Sequence, residues 1–116
     1  MPDAFDENAL MERVDGDVEF LDETITMLDE DSPALLDEIL AAAGSGDAAA
    51  LIRPAHALKG MVANFCAEPA ETAARALETM GREGRLTDVD RAVDRVRSET
   101  ERLRKALHKF LRTKTE

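Results

Sequence analysis

Helix-start and helix-stop residues recur along the whole 116-residue chain, and the apolar residues between them repeat mostly every three or four positions. Nothing reads as a strand: β-branched runs and hairpin dipeptides are few, and Tyr and Trp are absent. Asp6 can cap a short helix through Val14 that stops near Gly16. Asp17 can cap the next, with Val18, Leu21, Ile25 and Leu28 on one stripe. Ser32-Pro33 predicts a restart, because serine offers its hydroxyl to free amides and proline at the first helical position has no amide to leave unpaired. The stretch that follows carries Leu35, Leu36, Ile39 and Leu40 and stops at Gly44-Ser45-Gly46. Asp47 caps the next segment, and Pro69 opens another that ends near Gly81 or Gly84. Thr87-Asp88-Val89-Asp90 has the spacing of a capping box, with aspartate in the place usually given to glutamate. The last helix carries Val89, Val93, Val96, Leu103, Leu107 and Phe110.

Each long helix has one apolar stripe and needs neighbours to cover it. Short connections make successive helices antiparallel neighbours. The predicted fold is therefore all-α: an up-and-down antiparallel four-helix bundle with a short extra N-terminal helix, in a single domain over residues 1–116.

The formal net charge is −10, and it is unevenly placed: residues 1–50 hold 15 acidic residues against Arg13 alone. An acidic chain is repelled by phosphate backbones, which argues against nucleic acid as a partner. The C-terminal arginines read as a solvated face, and so do Glu19, Asp22, Glu23, Asp29 and Glu30. No run of about 18 apolar residues marks a membrane span, and no basic, then apolar leader is visible. A cytoplasmic setting is expected. The single cysteine, Cys66, rules out an internal disulfide and a cysteine-based zinc site.

The chemistry-bearing stretch is Ala55-His56-Ala57-Leu58-Lys59-Gly60. At about 100° per residue, Leu51, Ala55, Leu58, Val62 and Phe65 fall on one side of a helix. His56 lies well away from that stripe, among Ala49, Ile52, Arg53, Gly60 and Ala63. A glycine inside a helix costs about 1 kcal/mol against alanine, so Gly60 invites a reason, and access to the imidazole is one. Lys59 puts a cation beside the ring, where a bound anion could pair with it. A metal site would need more ligands than His56 and His108, the only histidines, supply. An inert surface histidine remains open. A nucleophilic imidazole presented to a docking partner accounts for the glycine, the lysine and the smooth surroundings together. His108, near the end of the last helix, is expected to interact with the helix dipole.

The same residues resemble the histidine-containing phosphotransfer (HPt) domains of multistep two-component signalling. The family pattern is a histidine followed by leucine, lysine and glycine at the second, third and fourth positions after it, as in His56, Leu58, Lys59 and Gly60. Asn64, Ala67, Leu77 and Glu78 match further family positions, and the opening FDENALMERVDGD looks like the family's N-terminal helix. The resemblance covers nearly the whole chain. It implies a phosphoryl carrier rather than an autonomous enzyme, with His56 as phosphoacceptor, Lys59 stabilising the phosphoryl oxygens and Gly60 leaving room for the receiver; Ile52, Arg53, Gly60, Ala63 and Asn64 are the expected docking residues. It implies response regulator receiver domains and a hybrid sensor kinase as partners. No cofactor is expected in this chain, magnesium belonging to the receiver, and a monomer is expected. A phosphoacceptor domain of a chemotaxis-type histidine kinase and a phosphate-independent helical adaptor stand as alternatives.

Three positions depart from the pattern. Cys66 replaces a family glycine and is expected to pack in its place. Met61 stands where small or polar residues are usual, and packing at the core edge is expected of it. Pro54 predicts a kink, and a helix restarting there would put His56 in its first turn.

Overall fold

The computed structural model describes residues 2–116 and arranges them as five helices: α1 (Glu7–Arg13), α2 (Val18–Ser45), α3 (Ala49–Ala63), α4 (Glu68–Glu83) and α5 (Val89–Thr115). Among the described residues there is no strand, and no helix is long and apolar enough to cross a membrane. The start signals act as capping chemistry requires. The Asp6 carboxylate accepts from the Ala9 amide and the Asp17 carboxylate from the Phe20 amide, both at 3.0 Å. Asp47 accepts from Ala50 at 3.2 Å, and Pro69 sits in the first turn of α4. Gly46 and Gly84 end α2 and α4 in the left-handed conformation, at φ 71° and 67°.

Helices α2 and α4 each pack against both α3 and α5. The stripes read from the sequence meet between them, joined by Leu77 of α4: Leu21, Ile25, Leu28 and Ile39 of α2, Leu51, Leu58 and Val62 of α3, and Val93, Val96, Leu103 and Leu107 of α5 are all buried, and so is Leu77. Helix α4 contributes mainly small residues, Ala70, Ala73 and Ala74, and at Gly81 its backbone lies close against its neighbour. A Cβ on Gly81 would stand 2.9 Å from the Ala48 carbonyl oxygen and 2.9 Å from Ile52 Cγ1. That contact seats α4 directly beside the start of α3. The N-terminal segment is tied to the α3–α4 connection, where the Asp6 amide donates to the Cys66 carbonyl at 3.0 Å and Arg13 donates to the Ala63 carbonyl at 2.9 Å. Phe5 meets Phe110 of α5 edge-on, with ring centroids 5.4 Å apart.

Two local expectations are corrected. Ser32-Pro33 does not restart a helix; α2 runs through it from Val18 to Ser45. Pro33 withholds one backbone bond, but Leu28, Ser32 and Ile39 on either side of it are buried against neighbouring helices, and that packing holds the helix together. Thr87–Asp90 forms no capping box: Asp88 is left-handed at φ 64°, where its carboxylate makes no cap bond. Helix α3 does not restart at Pro54. It runs unbroken from Ala49 with Pro54 buried, so His56 lies well inside it. Cys66, where the family has glycine, takes a left-handed backbone at φ 55°, a conformation that glycine adopts without strain.

The packing at Gly81 generates a paired test. Gly81→Ala should lose about 1–3 kcal/mol through overpacking, although alanine has the better helix propensity. Gly60→Ala, whose added Cβ meets nothing within 4 Å, should instead gain up to about 1 kcal/mol. Urea unfolding of both variants reads the two signs.

Candidate functional site

The α3 stripe of Leu51, Ala55, Leu58 and Val62 is fully buried, with Phe65 just beyond it. Rotation about the helix then carries His56 outward, and its side chain is 64% exposed. The ring is nevertheless held. Glu78, one turn before Gly81 on α4, reaches it across the close α3–α4 contact, with Oε2 2.8 Å from His56 Nδ1. The same carboxylate receives Lys59 Nζ on Oε1 at 2.6 Å and Arg82 on Oε2 at 2.8 Å.

Glu78 is only 6% exposed. A carboxylate this buried stays charged only when donors replace the water it loses, and here three side chains do so. The Lys59 ammonium against Oε1, then hydrogen bonding from Arg82, and then from His56 overcome the opposing effect of burial and hold the Glu78 carboxyl down at about 2, against an ordinary 4.5. At neutral pH Glu78 is therefore an acceptor only. A neutral imidazole bonded to it through Nδ1 must carry its hydrogen on Nδ1. The lone pair is then on Nε2, on an exposed ring. In that arrangement the tautomer is defined and the free lone pair of Nε2 points away from Glu78.

The other expected site residues are placed unevenly. Gly60 opens onto free space, and Arg53 and Asn64 are exposed. Ala63 is half-buried. Ile52 is also half-buried, because it packs at Gly81 in the α3–α4 contact. Met61 packs partly against the core, as expected, and with Asn64 it also lines a cavity of about 580 Å³ shared with Arg13, Phe20 and Met27. Phe20 and Met27 are 47% and 57% exposed there. Lys59 stands beside His56 but is already paired with Glu78, and 25% of its side chain is exposed.

Reasoning from the sequence missed two parts of this site. Glu78 was legible only as a position of likeness, and Arg82 carried one signal: it lies four residues after Glu78 on the same helix, a spacing at which opposite charges meet. His108 and Asp29 also differ from expectation. His108 Nε2 lies 2.7 Å from Asp29 Oδ2, and Arg104 donates to Asp29 Oδ1 at 2.9 Å, so the pair links α5 to α2. Asp29 is half-buried rather than part of a solvated face. Burial pushes its carboxyl up, but the hydrogen bonds from Arg104 and His108 outweigh that and hold it below the usual range. Among the described residues no three His, Cys, Asp or Glu side chains gather as a potential metal site.

The low Glu78 value has a consequence for acid stability. Its folded carboxyl titrates near 2 and its unfolded one near 4.5, so its charged contacts stabilise the fold above about 4.5. That contribution is lost as pH falls through about 2. Glu78→Gln cannot lose it. Urea unfolding at stepped pH should show the variant less stable than wild type at neutrality, with the gap narrowing as pH falls below 4.5. Parallel curves would contradict the assignment.

A family model described as Hpt domain matches residues 11–106 of the chain. No curated protein and no solved structure gives a match.

Proposed function

The chain belongs to the Hpt domain family, whose members are phosphocarriers with a histidine phosphotransfer role in phosphorelays and interact with response regulator receiver domains, and from that premise we propose that it carries a phosphoryl group on Nε2 of His56. The observation that supports this reading is the buried Glu78 carboxylate on Nδ1 of an otherwise exposed ring. In the proposed step the Nε2 lone pair attacks the phosphorus of a receiver-domain aspartyl phosphate. An N–P bond forms, the P–O bond to the aspartate breaks, and its electron pair leaves on the carboxylate. The ring keeps its Nδ1 hydrogen and becomes a phosphoimidazolium. Its new positive charge faces an ionised Glu78, which needs no proton transfer to stabilise it. The reverse step delivers the group to the aspartate of a second receiver, as a multistep relay requires.

Lys59 has a second role in this scheme. It lies one turn from His56, and a phosphoryl group on Nε2 offers it a dianionic partner in competition with Glu78. Gly60, Ala63 and Asn64, with Arg53 and the exposed part of Ile52, form the surface against which the receiver docks. The magnesium of the reaction belongs to the receiver, and this domain contributes no cofactor. The helices are read as an up-and-down antiparallel four-helix bundle, residues 1–116 forming one domain with α1 as an accessory. The carrier works as a cytoplasmic monomer between a hybrid sensor kinase and a response regulator.

Phosphotransfer from a receiver carrying labelled aspartyl phosphate tests the assignment. His56→Gln should take up no label. His108→Gln, whose ring is engaged with Asp29, should take it up at the wild-type rate. Equal labelling of His56→Gln and wild type would refute the reading.

A further inference from the structure

The Glu78 carboxylate is shared unequally. Oε1 takes Lys59 alone, whereas Oε2 takes both His56 Nδ1 and Arg82, each at 2.8 Å. Arg82 comes from the next turn of α4, so its guanidinium meets the imidazole on a single oxygen. Two electrostatic effects oppose each other at that oxygen. A carboxylate within hydrogen-bond reach favours the imidazolium form of a histidine, and a cation on the same carboxylate disfavours it. The balance matters because an imidazolium has hydrogen on both nitrogens and no lone pair to offer phosphorus.

The surrounding charges leave this balance to a few groups. On α3 they are Arg53, which is exposed, and Lys59, which is bound to the other oxygen. On α4 they are Glu78 and Arg82, while Arg75 is engaged with Glu71 at 3.1 Å. Helix α2 also packs on α3. Among the described residues none of its acidic side chains forms a hydrogen bond or ion pair with His56, Lys59, Glu78 or Arg82.

We propose that Arg82 is a positioning residue for phosphoryl acceptance: by sharing Glu78 Oε2 with the Nδ1–H of His56, it anchors the carboxylate and limits how much of its charge falls on the ring, with Nε2 left open. The inference rests on the reading of His56 as phosphoacceptor. Without Arg82, more of the Glu78 charge falls on the ring and favours the imidazolium, which has no lone pair to offer phosphorus. A partner charge at this distance can move a titration by one unit or more, but the Arg82 side chain is 60% exposed and solvent screens it.

The test is the pH dependence of initial transfer rate from a receiver carrying labelled aspartyl phosphate, at low ionic strength. Wild type, Arg82→Gln, Arg82→Lys and Arg75→Gln are compared. Glutamine keeps a hydrogen-bond donor and removes the charge, and the exposed position makes misfolding easy to exclude by circular dichroism. The acidic limb of the Arg82→Gln profile should move up by about half a pH unit or more, with the rate recovering at alkaline pH. Arg82→Lys should return toward the wild-type profile. Arg75→Gln, which makes the same change in net charge elsewhere on α4, should leave it in place. An Arg82→Gln profile coincident with wild type overturns the proposal. So does a loss by one constant factor at every pH, which marks a direct phosphoryl contact instead. A wild type that takes up no label refutes the phosphoacceptor reading itself, and with it this inference, and that result is distinct from an active wild type beside an unshifted variant.

Discussion

A carboxylate that is 6% exposed and still ionised is the interaction on which this site depends. Burial alone would neutralise Glu78, and a neutral Glu78 could place its own hydrogen toward His56 and leave the ring's tautomer undefined. The Lys59 ammonium against Oε1 and the hydrogen bonds from Arg82 and His56 on Oε2 prevent that together. Charge is thus held under the histidine rather than beside it in solvent. The ring gains orientation and a counter-charge without losing its exposure.

The carboxylate can reach the ring only because two helices approach closely. Small residues on α4 and the absence of a side chain at Gly81 let its backbone lie against Ala48 and Ile52. Glu78 is one turn away from that contact and inherits its position from it. The two glycines of the region do opposite work. Gly81 is small because a neighbour already occupies the space, and Gly60 is small where there is no neighbour in the domain at all. That vacancy, on the outer face beside an exposed ring, suits the docking proposed for it.

Much of this is legible in the sequence, because caps and apolar stripes are local signals. Asp6 and Asp17 cap where expected, and the stripe through Leu51, Leu58 and Val62 is enough by itself to put His56 on the outside of α3. The misreadings fall where tertiary packing overrides local preference. Pro33 stays inside α2 because residues on both sides of it are buried, and Asp88 takes a left-handed backbone that its side chain does not advertise. The Glu78 contacts are out of reach for another reason. His56 and Glu78 are 22 positions apart on different helices, and only the register of α3 against α4 brings them together. The same holds for Asp29 and His108, 79 positions apart. Likeness to a family flags Glu78 as a position without saying what it touches.

The central claim is that Glu78 fixes the tautomer of His56, and nitrogen-15 NMR of the imidazole reads it directly. At neutral to mildly alkaline pH, the account predicts a protonated, pyrrole-type Nδ1 and a pyridine-type Nε2 for His56 in the unphosphorylated protein. Glu78→Gln should relax that preference. A wild-type spectrum with the hydrogen on Nε2, or with the free-histidine mixture of tautomers, would contradict it.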